Sequence, residues 1–155
     1  MSGLVGDISS RSGVLRGKVD YSSGPWTPDL QGSSDPQAAR SAGGSNGGFY
    51  VKVGNTVHIS GEMNIVVTGN YTGVLKITGL PYTVRQAGAV SVSYYNGWAL
   101  GSNYGMTLWP YSGQTFMYIF HNTSGSTATT QLNNGNRSGT TQTIIFGGSY
   151  YAYVE

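Results

Sequence analysis

Between Phe49 and Ser60 the chain reads Phe-Tyr-Val-Lys-Val, then Gly54-Asn55, then Thr-Val-His-Ile-Ser, so two alternating runs flank a two-residue break. Side chains of a strand point to opposite faces in turn, and a Gly-Asn pair between two such runs signals a hairpin. This pattern commits the region to antiparallel β structure. It continues through Met63, Ile65 and Val67 to a second break at Gly69-Asn70, then Val74 to Thr78, which ends at Gly79-Leu80-Pro81. Proline there cannot extend a central ladder.

The second half keeps the rhythm. Val90 to Tyr95 precedes an Asn96-Gly97 turn; a run near Tyr104 to Tyr111 is broken at Pro110; Thr115 to His121, Thr141 to Phe146 and Tyr150 to Val154 follow. Seven or eight strands are expected and no helical stripe longer than two turns. Two packed antiparallel sheets bury such one-sided faces, so the fold class expected is an all-β, antiparallel β-sandwich.

Residues 1–48 lack a sustained period and are punctuated by Gly and Pro, so they read as an extended Gly/Ser-rich N-terminal arm and joint, with the β-sandwich domain over 49–155. Within the arm, Gly13 to Val19 could form a strand if a sheet edge is supplied, Gln37-Ala38-Ala39-Arg40 could make one helical turn, and Gly43 to Gly48 reads as a loop.

Charge narrows the functions. Only 9% of residues are charged, against roughly 25% in ordinary soluble domains, so solubility falls to Ser, Thr, Asn, Gln and Tyr, which suit strands and turns. Residues 1–40 carry eight charges, four of each sign, and residues 41–155 carry Lys52, Lys76, Arg85, Arg137, Glu62 and Glu155. No basic stripe exists to neutralise phosphates, and nucleic acid is not an expected partner. No stretch approaches the ~20 apolar residues of a membrane span, and no secretory signal is visible.

Reactive groups are sparse. There is no cysteine, which removes disulfides, thiolate metal sites and thiol nucleophiles. His58, Ser60 and Glu62 share one strand face, but neighbours two apart lie roughly 6.5 Å apart and point in parallel, so they do not converge as a triad. Glycan cleavage needs paired carboxyl groups, and the β region offers only Glu62 and Glu155. His121 stands at the end of an aromatic run and reads as a strand-end residue. No enzyme activity, metal or cofactor is expected.

Aromatic residues are the remaining signal. Tyr94, Tyr95, Trp98, Tyr104, Trp109 and Tyr111 are interleaved with Asn96, Ser102, Asn103 and Ser112. Tyr and Trp join an apolar face to a hydrogen-bonding tip, which suits contact with sugars or protein surfaces, and equally they fill cores and subunit interfaces. Tyr94, Tyr95, Trp98, Trp109 and Tyr111 are the candidate glycan or partner contacts, with Trp98 expected at a loop tip beside Asn96-Gly97.

Trp26-Thr27-Pro28-Asp29-Leu30, Gly48 to Gly61 and Thr72 to Tyr82 together resemble a β-rich domain of structural proteins of tailed bacteriophages, found at the distal ends of tail fibres and other virion appendages. Met1 to Gly13 is similar to the start of short phage virion proteins. The resemblance implies a jelly-roll type of sandwich that assembles as a homotrimer, is made in the bacterial host cytoplasm and resides on the virion surface. It also implies partners: copies of itself and other virion proteins such as major capsid or tail proteins; the alternative is a receptor-binding tail fibre tip or lectin-like module that recognises host cell-surface glycan through the aromatic segment. With Met1 opening directly on the arm and no shaft before the head, a short accessory is expected, either a capsid decoration or cement protein or a small fibre. The arm side chains Leu4, Val5, Ile8, Arg11, Val14, Leu15 and Trp26 are then the candidate virion anchors.

Overall fold

The computed structural model describes residues 20–34, 40–41, 45–67, 69–100, 105–122 and 129–153. The strands are β1 (Tyr21–Trp26), β2 (Asp29–Gly32), β3 (Arg40–Ser41), β4 (Asn46–Val53), β5 (Thr56–Val67) and β6 (Leu75–Thr78). They are followed by β7 (Val84–Gln86), β8 (Val90–Asn96), β9 (Met106–Pro110), β10 (Phe116–Asn122), β11 (Thr129–Gln131) and β12 (Thr141–Ala152). The helical element among the described residues is one 3-10 turn at Asn134–Asn136, closed by a reciprocal Asn133/Asn136 cap. All pairings are antiparallel.

The all-β, antiparallel expectation stands, with the strands linked in one ladder rather than two separate sheets. The order is β1-β4-β5-β12-β8-β9-β10-β6-β2. β1 and β2 stand at opposite ends of that order, yet only Thr27 and Pro28 separate them in sequence. The sheet must therefore curl until its two edges meet. The β8/β9 junction is held by just Val90↔Leu108 and Ser91↔Thr107, so the ladder bends there into two halves, β1-β4-β5-β12-β8 and β9-β10-β6-β2.

The core lies inside the curl and draws on both halves. β5 alternates without a break, burying Val57, Ile59, Gly61, Met63, Ile65 and Val67. Leu30, Leu75, Ile77, Met117 and Ile119 oppose them from the other half. The Gly54-Asn55 hairpin forms as expected, with Gly54 at φ 57°, a left-handed conformation that glycine adopts without a Cβ penalty.

Several boundaries shift. β1 and β2 lie within the stretch expected to be an arm, and Trp26 and Leu30 are core residues. The expected division at 48/49 falls inside β4, because Asn46-Gly47-Gly48 pair with Met63-Glu62-Gly61 rather than forming a loop. Arg40 pairs with Val67 as a strand residue, not a helical one. The strands expected at Thr141 to Phe146 and from Tyr150 onward are one continuous β12, which ends at Ala152, with Val154 outside the described residues. Gly148 permits this: a Cβ there would stand 2.0 Å from the Ala89 carbonyl oxygen.

β8 carries a bulge. Ile145 faces Tyr94 while Phe146 faces Val92, which leaves Ser93 as the extra residue. An extra residue reverses the in-out order beyond it. Strict alternation from Val90 and Val92 would send Tyr94 inward; instead Tyr95 packs on the core and Tyr94 faces out.

Candidate contact surface

β10 is apolar on both faces. Met117, Ile119 and His121 are buried, while Phe116, Tyr118 and Phe120 lie on the outer surface, half-buried among themselves. β9 buries Met106, Leu108 and Pro110, which turns Trp109 outward opposite Tyr118. Tyr111 follows Pro110 and is tied back by its amide, which donates to the Phe116 carbonyl at 3.1 Å.

These rings form a connected ridge. Phe116 and Tyr118 meet edge to face at 5.1 Å between centroids, and Tyr118 meets Tyr111 at 5.3 Å. Tyr111 stacks parallel to Phe116 at 5.8 Å and stands on edge to Trp109, also at 5.8 Å. Trp109 reaches Phe120 at 5.6 Å. Such offset and edge-on pairs are the favoured aromatic geometries, each worth about 0.5–1.5 kcal/mol beyond area burial. The ridge is thus pre-formed, with Trp109 46% and Tyr111 40% exposed.

A polar margin runs along one side. Lys76 on β6 lies opposite Tyr118, and its ammonium sits 4.8 Å from the Phe116 ring centre. Beyond it, Gln31 on β2 faces Lys76 and donates a 2.9 Å hydrogen bond to the Asp29 carboxylate. Flat rings beside hydrogen-bonding groups can hold a ligand with one apolar face and polar edges, as a sugar ring has.

The five candidate aromatics do not gather. Trp109 and Tyr111 belong to the ridge. Tyr94 is exposed on the outer surface of the other half, opposite Ile145. Tyr95 leans on the core. Trp98 is not at a loop tip: it is buried, its indole N–H donates to the Thr143 carbonyl at 3.3 Å, and its backbone bridges to Arg137. Position 98 is closed over by the segment that Arg137 pins, through hydrogen bonds to the Gly69, Asn134 and Val67 oxygens. Tyr104, Ser102 and Asn103 lie outside the described residues.

Of the candidate anchors, Leu4, Val5, Ile8, Arg11, Val14 and Leu15 lie outside the described residues. Trp26 is withdrawn from any external contact. Its ring is buried edge-on to Phe146 at 6.0 Å, and its indole N–H donates to the Ser60 carbonyl at 3.0 Å.

His58, Ser60 and Glu62 are all exposed on the outer surface of β5, on one face. His121 is buried in β10, with Nδ1 3.1 Å from the Asn122 carbonyl oxygen. Among the described residues no group of three or more His, Asp or Glu could hold a metal ion. None of the described helices is long and apolar enough to cross a membrane.

Sequence reading missed Phe116, Tyr118, Phe120 and Lys76 as surface residues. The available signal was the unbroken run Phe-Met-Tyr-Ile-Phe. A strand with one solvated face needs only every second residue apolar, so such a run means that something covers, or meets, the second face.

No protein-family profile matches the chain, and no curated protein matches it. Among solved structures, the crystal structure of the Dettilon tailspike protein shares its fold, with a TM-score of 0.66 and 20% sequence identity. The match covers 84% of this chain and 24% of the tailspike chain, so this chain spans about a quarter of that protein's length.

Proposed function

We propose that this chain is a structural surface module of a tailed-bacteriophage virion, non-enzymatic, that meets host cell-surface glycan through the Trp109-Tyr111-Phe116-Tyr118 ridge. The observation that carries this reading is a pre-formed, half-exposed aromatic ridge with a polar margin. The fold it shares with part of a tailspike supports a tail position over the capsid-decoration alternative. A jelly-roll sandwich and a homotrimer are the finer architecture this reading takes, and both rest on the sequence resemblance. Residues 1–19 serve as the arm that docks on other virion proteins, with Leu4, Val5, Ile8, Arg11, Val14 and Leu15 supplying the apolar and cationic contacts.

Non-enzymatic contact is favoured because glycan cleavage needs paired carboxyl groups, and among the described residues Asp29 is the carboxylate near the ridge while Glu62 of β5 lies on the other half of the sheet. The test is binding of the intact chain to purified host-surface polysaccharide. Trp109→Ala and Tyr111→Ala should each weaken binding at least tenfold while leaving thermal unfolding cooperative. Undiminished binding by both variants, or the release of new reducing ends by the wild-type chain, would sink the proposal.

A further inference from the structure

The half of the sheet formed by β1, β4, β5, β12 and β8 has an outer surface as well, and it is apolar where water should meet it. Tyr21, Phe49, Val53, Tyr94, Ile145 and Tyr151 all point outward there, each between 36% and 62% exposed. Strand register sets them in rows: Tyr21, Val53, Thr56 and Tyr151 across one end, and Glu62, Ile145 and Tyr94 across the other. The charged or ionisable groups there besides the tyrosines are His58 and Glu62 of β5, with Arg85 of β7 beside Tyr151 at the margin. A surface this poor in charge and this rich in half-exposed rings is what a monomer avoids.

We infer that this surface is where a second copy of the chain docks. The inference rests on the proposed self-association and names the face that performs it. Three observations select another copy over an unrelated partner. With six half-exposed side chains, and ~150–250 Å² per fully buried aromatic, the face offers roughly 500 Å² of apolar side-chain surface. The Ser, Thr and Gly between them bring it toward the ~800 Å² that each partner gives to a standard interface. The two ends of the face differ in relief: a shallow, open depression lined by Gly47, Gly48, Phe49, Ser60, Glu62 and Ile145 lies at the end opposite the exposed Tyr21-Val53-Tyr151 row. The exposed row of one copy can lie on the depression of the next, the head-to-tail kind of contact by which a ring of copies closes. Finally, with so few charges there is no electrostatic signature that a differently charged partner would read.

The geometry has a further result. The outer surfaces of the two halves face away from one shared core, so copies joined through β1, β4, β5, β12 and β8 leave the aromatic ridge free.

Sedimentation of the intact chain tests this. Wild type should sediment as a multimer, and Ile145→Lys should sediment at the mass of one chain with its circular dichroism spectrum unchanged. Val53→Lys, at the other end of the face, is the second variant should the first fail to fold. Hydroxyl-radical labelling of the unmodified chain is independent of both: labelling of Tyr21 and Tyr151 should drop severalfold as concentration rises, while Trp109 and Tyr111 stay unchanged. A wild-type chain that is a single copy throughout, folded lysine variants that remain multimeric, or protection falling on Trp109 instead would overturn the inference. Glycan binding undiminished in both Trp109→Ala and Tyr111→Ala sinks the ridge reading and leaves this one standing, so the two fail separately.

Discussion

The Trp26 indole donates its N–H to the carbonyl oxygen of Ser60, 34 residues away, across β4. The ring fills the space above Gly48, where a Cβ would come within 2.3 Å of the indole nitrogen. A tryptophan near the start of the described chain is therefore a keystone of the core. Trp26→Ala should cost about 3–5 kcal/mol, as for other buried large aromatics. By the same logic a chain beginning at Asp20 should fold, whereas one beginning at Phe49 should not, since it lacks Trp26, Leu30 and both terminal strands of the ladder. Urea titration of the first and proton NMR dispersion of the truncations check this.

Gly61 and Gly47 offer a matched contrast. A Cβ on Gly61 would meet Phe146 Cζ at 2.5 Å inside the core, while one on Gly47 meets nothing within 4 Å. Gly61→Ala should lose about 1–3 kcal/mol through overpacking, and Gly47→Ala should stay within about 0.5 kcal/mol of wild type. Equal denaturation midpoints for the two variants would refute the assignment of Gly61 to a filled interior.

Lys52 is buried with its ammonium paired to Asp20 and set 5.3 Å from the Tyr82 ring centre. Removing one member of a buried pair strands the other, whereas replacing a buried charge by an apolar side chain of similar volume is often neutral. Asp20 is more than half exposed, which moderates the effect. Asp20→Asn should therefore destabilise by about 1 kcal/mol and Lys52→Met by less, the reverse of what burial alone predicts. Thermal midpoints of the two variants decide it.

The Tyr150 hydroxyl donates to the Tyr82 carbonyl at 3.0 Å and accepts from the Tyr82 amide at 3.2 Å. Burial holds this phenol well above the ordinary tyrosine range. Above pH ~10 the unfolded phenol releases its proton and the folded one keeps it, so stability is fully present below that pH and declines above it, by up to about 1.4 kcal/mol per unit. Tyr150→Phe should be less stable at neutral pH, and its deficit should shrink between pH 10 and 11. A parallel pair of stability-versus-pH curves would contradict this.

Local pattern made part of the fold legible. The Phe49 to Ser60 hairpin and the long β5 follow from alternation that tertiary contacts had no reason to override. What escaped has a physical cause in each case. β1 and β2 are short, Gly- and Pro-marked segments that alone cannot nucleate a sheet, and they become strands because β4 and β6 offer them edges. Trp98 follows a genuine turn but is covered by a segment some forty residues downstream, which no local window reports. The exchange of Tyr94 and Tyr95 depends on a bulge whose only trace is one surplus residue in a pairing. The ridge was half visible, since Trp109 and Tyr111 were singled out, while their Phe116 and Tyr118 partners were hidden by a run that reads equally well as a buried strand.

One segment, Tyr21 to Gly32, occupies both ends of the ladder, and this sets a timetable for biosynthesis. A ribosome delivers that segment before any of its partners. β4 arrives soon after, but β2 must wait for β6, which itself leans on β10 near residue 120. Until then the growing chain carries unpaired strand edges and an uncovered interior, the condition in which neighbouring nascent chains pair with one another. The seam between Trp26 and Asp29 thus stays open until more than a hundred residues have been made, and the ladder is whole only when β12, the last strand to arrive, joins β5 to β8.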